Sequence, residues 1–204
     1  GGLGGGSSDA AAILRAAMDG TLGSGDDRDW LALARSLGSD VPFFLVGTAA
    51  LVEGTGERVT ALGVPPPWWC VIVQPNAAVA TADAYRRLDA ARSDAAVASS
   101  RPRSSSASLA VVDALQRGDF DAFSQTLGND FHDLILASYP AVTEAANALR
   151  KAGAGHVLLS GSGSCLFAPF EGEAAARAVY ERLDGARCAR SFAVPFHHDS
   201  SWRT

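Results

Sequence analysis

The first residues of the chain are of types that bind phosphate. Residues 2–11 read G-L-G-G-G-S-S-D-A-A. Glycine lets backbone amides approach phosphate oxygens closely, and a helix beginning at Ser8 would add the positive end of its dipole. No Gly-Lys-Ser/Thr follows, so the segment is not a Walker loop, and a flexible linker is the alternative. Because the segment leads directly into a capped amphipathic helix, phosphate binding is favoured, with these candidates: Gly2, Leu3, Gly4, Gly5, Gly6, Ser7 and Ser8.

A carboxylate beside an apolar run is the second candidate. Asp40 lies in the segment G-S-D-V-P-F-F at residues 38–44. Proline disfavours helix in the residue before it, so we expect Val41 to be extended and Asp40 to lie where a loop meets the apolar stretch. A carboxylate partly desolvated there would suit a general base near a phosphate. An aspartate that only caps a turn fits the same pattern.

The third candidate is the segment S-G-S-G-S-C at residues 160–165. It lies between two predicted strands, and its spacing favours a tight hairpin over a functional loop. In the second interpretation its amides and hydroxyls, at Gly161, Ser162 and Gly163, would add to those of the first segment.

Two groups of elements must position these residues, divided by the stiff Pro65-Pro66-Pro67. This break predicts domains over residues 1–64 and 65–204. In the first we expect a helix through Met18 with Ser7-Ser8 at its N-cap. A second helix is expected from residue 27 or 28 to 36, followed by strands over 48–53 and 58–62.

The second group alternates strands with helices, which predicts an α+β sandwich. Strands are predicted over 68–74, 156–159, 165–168 and 187–194. Helices are predicted over 81–90, 109–116, 120–127, 131–151 and 171–183, with a mobile loop over 93–106.

Composition excludes several classes of protein. The 204 residues are 48% hydrophobic, which argues against intrinsic disorder. Their net charge of −5 argues against a broad nucleic-acid-binding surface. No apolar run approaches the ~20 residues of a membrane-spanning helix. The three cysteines are far apart, which predicts reduced thiols in a cytoplasmic protein and neither a zinc site nor disulfides. The oligomeric state stays open.

Together and in this order, the three segments resemble the GHMP kinase superfamily. Within it they are similar to kinases of the non-mevalonate isoprenoid pathway, in which G-A-D-V-P-F-F precedes a G-x-A-x-x-x-x-G-x-G-E pattern, here residues 47–57. Asn129-Asp130 also resembles an N-D pair that opens a helix in these enzymes. The resemblance implies the last part of an ATP-binding domain, followed by a ferredoxin-like α/β sandwich.

The resemblance also implies an activity and residue roles. The reaction would move the γ-phosphoryl of ATP, with Mg²⁺, to the C2 hydroxyl of 4-diphosphocytidyl-2-C-methyl-D-erythritol. Asp40 would be the base, the glycine segment would cradle the triphosphate, and Ser7 would contact Mg²⁺. Thr81 and Tyr85 would face the cytidyl group, Tyr85 by stacking on the base. A core tyrosine on an amphipathic helix is the alternative for Tyr85.

One family feature has no match in the sequence. The family's strand with a lysine that pairs with the catalytic aspartate would precede Gly1, and Lys151 resembles a solvated charge at a helix end. We therefore expect an N-terminal part to be missing and residues 1–204 alone to be inactive. A mevalonate- or homoserine-type kinase and a non-catalytic nucleotide-binding fragment are the alternatives.

Overall fold

The computed structural model describes residues 2–22, 28–93, 105–183 and 190–196. The chain forms two compact units that divide inside the proline run. The N-terminal unit is Gly4–Pro65, and the C-terminal unit is Pro66–Thr204 together with Gly1–Leu3. A start of the second helix at residue 27, most of the loop expected over 93–106, the first part of the closing strand and Cys188 lie outside the described residues.

The N-terminal unit consists of three helices and a hairpin. The helices are α1 (Gly5–Met18), α2 (Trp30–Leu37) and α3 (Val41–Val46). Strands β1 (Ala49–Glu53) and β2 (Arg58–Gly63) pair antiparallel, which confirms the hairpin predicted there. A small cluster of buried side chains joins the three helices: Ala11, Leu14, Ala34 and Val41.

The predicted start of α1 was wrong. Gly4, not a serine, occupies the N-cap in the left-handed conformation (φ 64°), and Ser7 and Ser8 lie inside the first turn. The first hydrogen bond of the helix runs from the Ser8 amide to the Gly4 carbonyl at 2.9 Å. Glycine reaches this conformation without the steric cost that a Cβ would add, so the turn needs no side-chain cap.

The extended conformation predicted for Val41 was also wrong, because Val41 begins α3. Pro42 then occupies the second position of the helix. An amide in the first turn has no helical carbonyl to bind, so proline costs nothing there and its fixed φ suits the helix.

A four-stranded antiparallel sheet organises the C-terminal unit. Its strands are β3 (Trp69–Gln74), β4 (Leu158–Leu159), β5 (Leu166–Phe170) and β6 (Arg190–Pro195). Their order across the sheet is β4-β5-β3-β6, so β3 is central and pairs with both β5 and β6. Val71 is buried on β3 opposite Ala168 and Ala193.

Six helices are described in the C-terminal unit. They are α4 (Thr81–Ser93), α5 (Ser105–Arg117), α6 (Phe120–Thr126), α7 (His132–Ser138), α8 (Pro140–Lys151) and α9 (Glu173–Arg182). Helices follow β3 and α9 follows β5, giving the split βαββαβ topology that confirms the ferredoxin-like prediction. The large core of the unit includes Val71, Val73, Val142, Leu149, Leu159, Leu166 and Val179.

The single helix predicted over 131–151 is two helices. Tyr139 has an extended backbone (φ −127°, ψ 95°), and Pro140 starts α8. Proline has no N–H to continue the helix, and its ring clashes with the carbonyl four residues earlier. The break turns α8 onto the sheet, where Val142 and Leu149 are buried.

No helix in the described ranges is long and apolar enough to span a membrane. Two cysteines, Cys70 and Cys165, are buried. Burial disfavours the thiolate and raises the pKa of Cys70 to about 11, so this thiol is unreactive near neutral pH.

Candidate functional site

Within the N-terminal unit, the glycine segment lies against the segment that contains Asp40. A Cβ on Gly4 would come within 2.7 Å of Cε2 of Phe44, closer than real Cβ contacts. The left-handed backbone of Gly4 favours glycine, and any side chain there would also have to displace the Phe44 ring. This contact brings the start of α1 together with α3, although the two are far apart in sequence.

The start of α1 suits an anion. The first three amides of a helix, here those of Gly5, Gly6 and Ser7, have no helical carbonyl to bind. Gly5 and Gly6 are exposed, and among the described residues nothing lies within 4 Å of where their Cβ atoms would be. The first turn contains no acidic side chain, so its positive partial charge is not neutralised there.

Asp40 is at the N-cap of α3 and is exposed. The predicted desolvation was therefore wrong, and its side chain makes no capping hydrogen bond either. The backbone before it is held by the β1–β2 turn, because Gly56 packs so closely on the Ser39 carbonyl that a Cβ would overlap it. The G-x-G-E part of the sequence was the only signal for this support.

The loop over residues 160–165 is the hairpin that its spacing favoured. The Ser160 amide donates to the Cys165 carbonyl at 2.8 Å, so the loop closes between β4 and β5. The Ser160 hydroxyl donates to the Gly2 carbonyl at 2.5 Å. Gly2 lies so close that a Cβ would be 3.0 Å from the Cys165 amide nitrogen. The loop thus anchors the first residues of the glycine segment within the C-terminal unit.

Three of the residues predicted to face a substrate meet at the start of α4. The hydroxyls of Thr81 and Ser162 are 3.1 Å apart. Tyr85 follows one turn later on α4 and is 54% exposed, so its interpretation as a core residue was wrong. The rings of Tyr85 and Phe131 pack edge to face, with their centroids 5.0 Å apart. An aromatic face and two hydroxyls are therefore available on one surface.

Asp83, on the same helix as Thr81 and Tyr85, is the centre of a polar network. Asp83 accepts hydrogen bonds from Arg87 Nε at 2.6 Å and from the Tyr139 hydroxyl at 3.0 Å, and it also pairs with Arg86. The hydrogen bond from Arg87 contributes most to lowering the pKa of Asp83. The hydrogen bond from Tyr139 ties α4 to the break between α7 and α8.

Sequence reasoning missed the residues that hold the hairpin loop from behind. Asn129 Nδ2 donates to the carbonyls of Leu159 and Gly161, at 2.8 Å each. His132 Nδ1 accepts from the Leu159 amide at 3.1 Å. Partial burial lowers the pKa of His132, which favours the neutral ring that this bond requires. The resemblance of Asn129-Asp130 to a family pair drew attention to Asn129, but it did not predict which residues Asn129 contacts.

Comparison with known proteins agrees with these motifs. The family model described as "GHMP kinases C terminal" matches residues 111–189. A protein of Salinispora arenicola named 4-diphosphocytidyl-2-C-methyl-D-erythritol kinase is 42% identical over 96% of this chain and 62% of its own length. One of Brevibacillus brevis with the same name is 37% identical over 90% of this chain and 60% of its own.

Solved structures agree as well. A crystal structure of 4-(cytidine 5'-diphospho)-2C-methyl-D-erythritol kinase is 34% identical with a TM-score of 0.70, over 95% of this chain and 65% of that one. Homoserine kinase from Cytophaga hutchinsonii, at 21% identity and a TM-score of 0.68, shares the fold.

The chain spans roughly three fifths of the length of the curated relatives it matches, 60% of one and 63% of another. The similarity covers nine tenths or more of the chain itself. The family model, these relatives and the shared fold lead to one conclusion. Residues 111–189 match the C-terminal family of the GHMP kinases, and the chain as a whole is similar to these kinases in sequence and fold.

Proposed function

We propose that the protein containing this chain is an ATP-dependent kinase that phosphorylates the C2 hydroxyl of 4-diphosphocytidyl-2-C-methyl-D-erythritol. The observation that carries the proposal is the contact between Gly4 and Phe44. It holds an uncapped, glycine-lined helix start and an exposed carboxylate, Asp40, in one unit. Phosphoryl transfer depends mainly on positioning and electrostatics, and these are the two parts it requires.

The open start of α1 would hold the triphosphate. Its free amides and helix dipole favour an anion, and Gly5 and Gly6 leave room for phosphate oxygens. Gly2 and Leu3 precede this turn, with Gly2 anchored by Ser160.

Mg²⁺ fits this arrangement through the nucleotide. In the described ranges no three His, Cys, Asp or Glu side chains come together as metal ligands. Mg²⁺ usually keeps several water ligands and binds the phosphates of a nucleotide, with few ligands from the protein. The Ser7 hydroxyl, in the first turn of α1, would be one such protein ligand. When bound, the ion neutralises phosphate charge.

Asp40 would accept the proton of the substrate hydroxyl. An exposed carboxylate with no capping hydrogen bond keeps its lone pairs available for that proton. Its backbone is held on both sides, by Gly56 against Ser39 and by α3, so the Cα atom that carries the carboxylate is fixed in place.

The cytidyl group would bind on the C-terminal unit. The exposed ring of Tyr85 offers a stacking face, and Thr81 and Ser162 offer hydroxyls beside it. The exposed Gly161 lies in the same hairpin loop, whereas the predicted role of Gly163 does not fit, because Gly163 is buried and its amide donates to the Ser160 carbonyl at 3.0 Å. Mevalonate and homoserine contain no aromatic base, so the exposed ring favours the cytidyl compound over those alternatives.

A substrate panel tests the proposal. The protein containing this chain is incubated with ATP, Mg²⁺ and one of three alcohols: 4-diphosphocytidyl-2-C-methyl-D-erythritol, mevalonate or homoserine. We expect ADP release and a new phosphomonoester signal in the ³¹P NMR spectrum with the first compound alone. Transfer to either other alcohol would overturn the substrate assignment. ATP binding without transfer to any of the three would favour a nucleotide-binding protein that is not a kinase.

A further inference from the structure

We propose that Asn129 is a positioning residue for the substrate. It fixes the hairpin loop at residues 160–165 and, through Phe131, the ring of Tyr85 in their positions relative to each other. The inference rests on the proposed function and names a residue to which that function assigns no role. Its basis is a set of three hydrogen bonds made by one carboxamide.

Every polar group of the Asn129 side chain is used. Its two N–H bonds point to two different carbonyls, those of Leu159 and Gly161, with distances of 2.8 Å to each. Its oxygen accepts from the Phe131 amide at 2.8 Å. A carboxamide has two donors and one acceptor oxygen on a planar group, and here each takes part in a bond.

The two donated bonds act on the loop that carries Ser162. Gly161 has a left-handed backbone (φ 55°), and its carbonyl is held at the point where the chain leaves β4. Ser162 follows directly and meets Thr81. Fixing the Gly161 carbonyl therefore fixes the direction in which the Ser162 hydroxyl enters the surface.

The accepted bond acts on the aromatic half of the surface. It closes a turn that places Phe131 just before α7, and the Phe131 ring packs against Tyr85. One side chain thus connects the backbone behind Ser162 with the residue that supports Tyr85. Displacing it should disturb both contacts with the cytidyl group together.

The anchor of the glycine segment is held separately. Ser160 is fixed by the hydrogen bond of its amide to the Cys165 carbonyl at 2.8 Å and by the pairing of β4 with β5. Its bond to Gly2 therefore keeps two supports of its own when Asn129 is lost, whereas Ser162 has neither of them. Loss of Asn129 should weaken the cytidyl substrate while leaving ATP nearly unaffected.

The substitution N129D isolates the two donated bonds. Aspartate has the same shape and keeps an acceptor for the Phe131 amide, but it places carboxylate oxygens against two carbonyls. N147D is the matched control, because Asn147 is exposed on α8 and its side chain accepts a hydrogen bond from Arg150 of the same helix, away from the hairpin loop. Both variants add one negative charge to the same unit.

We expect N129D to raise KM for the cytidyl substrate about tenfold or more, since two satisfied carbonyls lose their donors. KM for ATP should stay within about twofold, and N147D should match the wild type in both. Amide hydrogen exchange of peptides covering residues 159–164 should accelerate in N129D and stay unchanged over β3. If N129D does not fold, N129S, which is too short to bridge both carbonyls, replaces it.

Different outcomes would contradict the positioning role of Asn129 and the proposed kinase function. Equal KM values for N129D and N147D in an active enzyme would overturn the positioning role. An equal rise in both KM values of N129D, for substrate and ATP, would also overturn it and indicate a general structural role. A wild type that does not phosphorylate the cytidyl compound would overturn the proposed function, and the positioning role with it. Hydrogen exchange would then still report whether Asn129 holds the loop.

Discussion

The two units place their candidate residues by different physical means. In the N-terminal unit, four side chains form the buried cluster, and large apolar side chains such as Ile13 and Leu22 are 63% and 64% exposed. The C-terminal unit has a much larger core between its sheet and its helices. Side-chain hydrogen bonds hold its hairpin loop at residues 160–165. The first unit offers backbone amides and a carboxylate from a small core. The second offers side chains above a larger core, so substitutions in the two units should separate effects on phosphoryl transfer from effects on stability.

The largest expected effect concerns the chemistry of the N-terminal unit. In the protein containing this chain, Asp40→Asn should lower kcat by about 10²–10⁴-fold, because the amide cannot accept the proton. ATP affinity, measured by titration calorimetry, should stay within about twofold, since Asp40 is not part of the helix start.

Asp89→Asn is the matched control, because Asp89 is an exposed aspartate on α4. It should keep wild-type kcat. Turnover of Asp40→Asn within about tenfold of the wild type would remove the role of base, because that corresponds to a barrier change of only about 1.4 kcal/mol.

The second prediction compares the stability of the two cores. Leu149→Ala, in the large core, should lower the free energy of unfolding of its unit by about 2–5 kcal/mol. Leu14→Ala should cost less, because few buried neighbours surround it and the site can relax. Denaturant titration followed by hydrogen exchange in peptides of each unit measures both. A larger loss for Leu14→Ala would show that the small cluster is the better packed of the two.

The third prediction tests the aromatic surface of the C-terminal unit. Tyr85→Ala should weaken the cytidyl substrate by about 1–3 kcal/mol through lost stacking, with little change for ATP. Tyr85→Phe should bind like the wild type, because the ring remains. Tyr180→Ala, at an exposed tyrosine on α9, controls for loss of a surface ring. Equal weakening of both ligands by Tyr85→Ala would contradict stacking.

The smallest expected effect is a pH dependence of stability. Burial lowers the pKa of His132 below its ordinary value of 6.5. Between the lowered pKa and pH 6.5, the folded state therefore binds fewer protons than the unfolded chain. The contribution is therefore present above pH 6.5 and is lost as the pH falls from there through the lowered pKa. Protonation would also end the acceptor role of Nδ1 toward the Leu159 amide.

Urea unfolding at about pH 7.5 and about pH 5.5 measures this effect. The loss of stability should be greater in the wild type than in His132→Asn, whose amide oxygen can still accept at both pH values. His156→Asn, at an exposed position, should keep the wild-type dependence. An identical dependence in His132→Asn and the wild type would exclude His132 as its source.

Local patterns predicted much of the secondary structure and failed where a single backbone position decides. The β1–β2 hairpin and strand β3 follow from turn residues and β-branched runs, and they are confirmed. The pattern over 131–151 is helical throughout, and only the geometry of Pro140 divides it. The start of α1 depends on a left-handed Gly4, which the capping rules for serine do not describe.

The candidate site was predicted by residue type but not by contact. Thr81 and Ser162 lie 3.1 Å apart through the sheet topology, which no local pattern encodes. The support from Asn129 and His132 joins residues about thirty positions apart in the chain, again through tertiary packing. The roles of Asp40 and of the glycine segment stay predictions, and their exposure and hydrogen bonds now define the experiments.

The contact between Gly4 and Phe44 has a consequence for the order of folding. Helices α1 and α3 can each begin to form from neighbouring residues, but the turn at Gly4 packs against a ring roughly forty residues away. Closing a loop of that length carries an entropic cost that local contacts do not repay in advance. We therefore expect the conformation that would receive a phosphate to be completed late, after α3 has docked, rather than when α1 first nucleates.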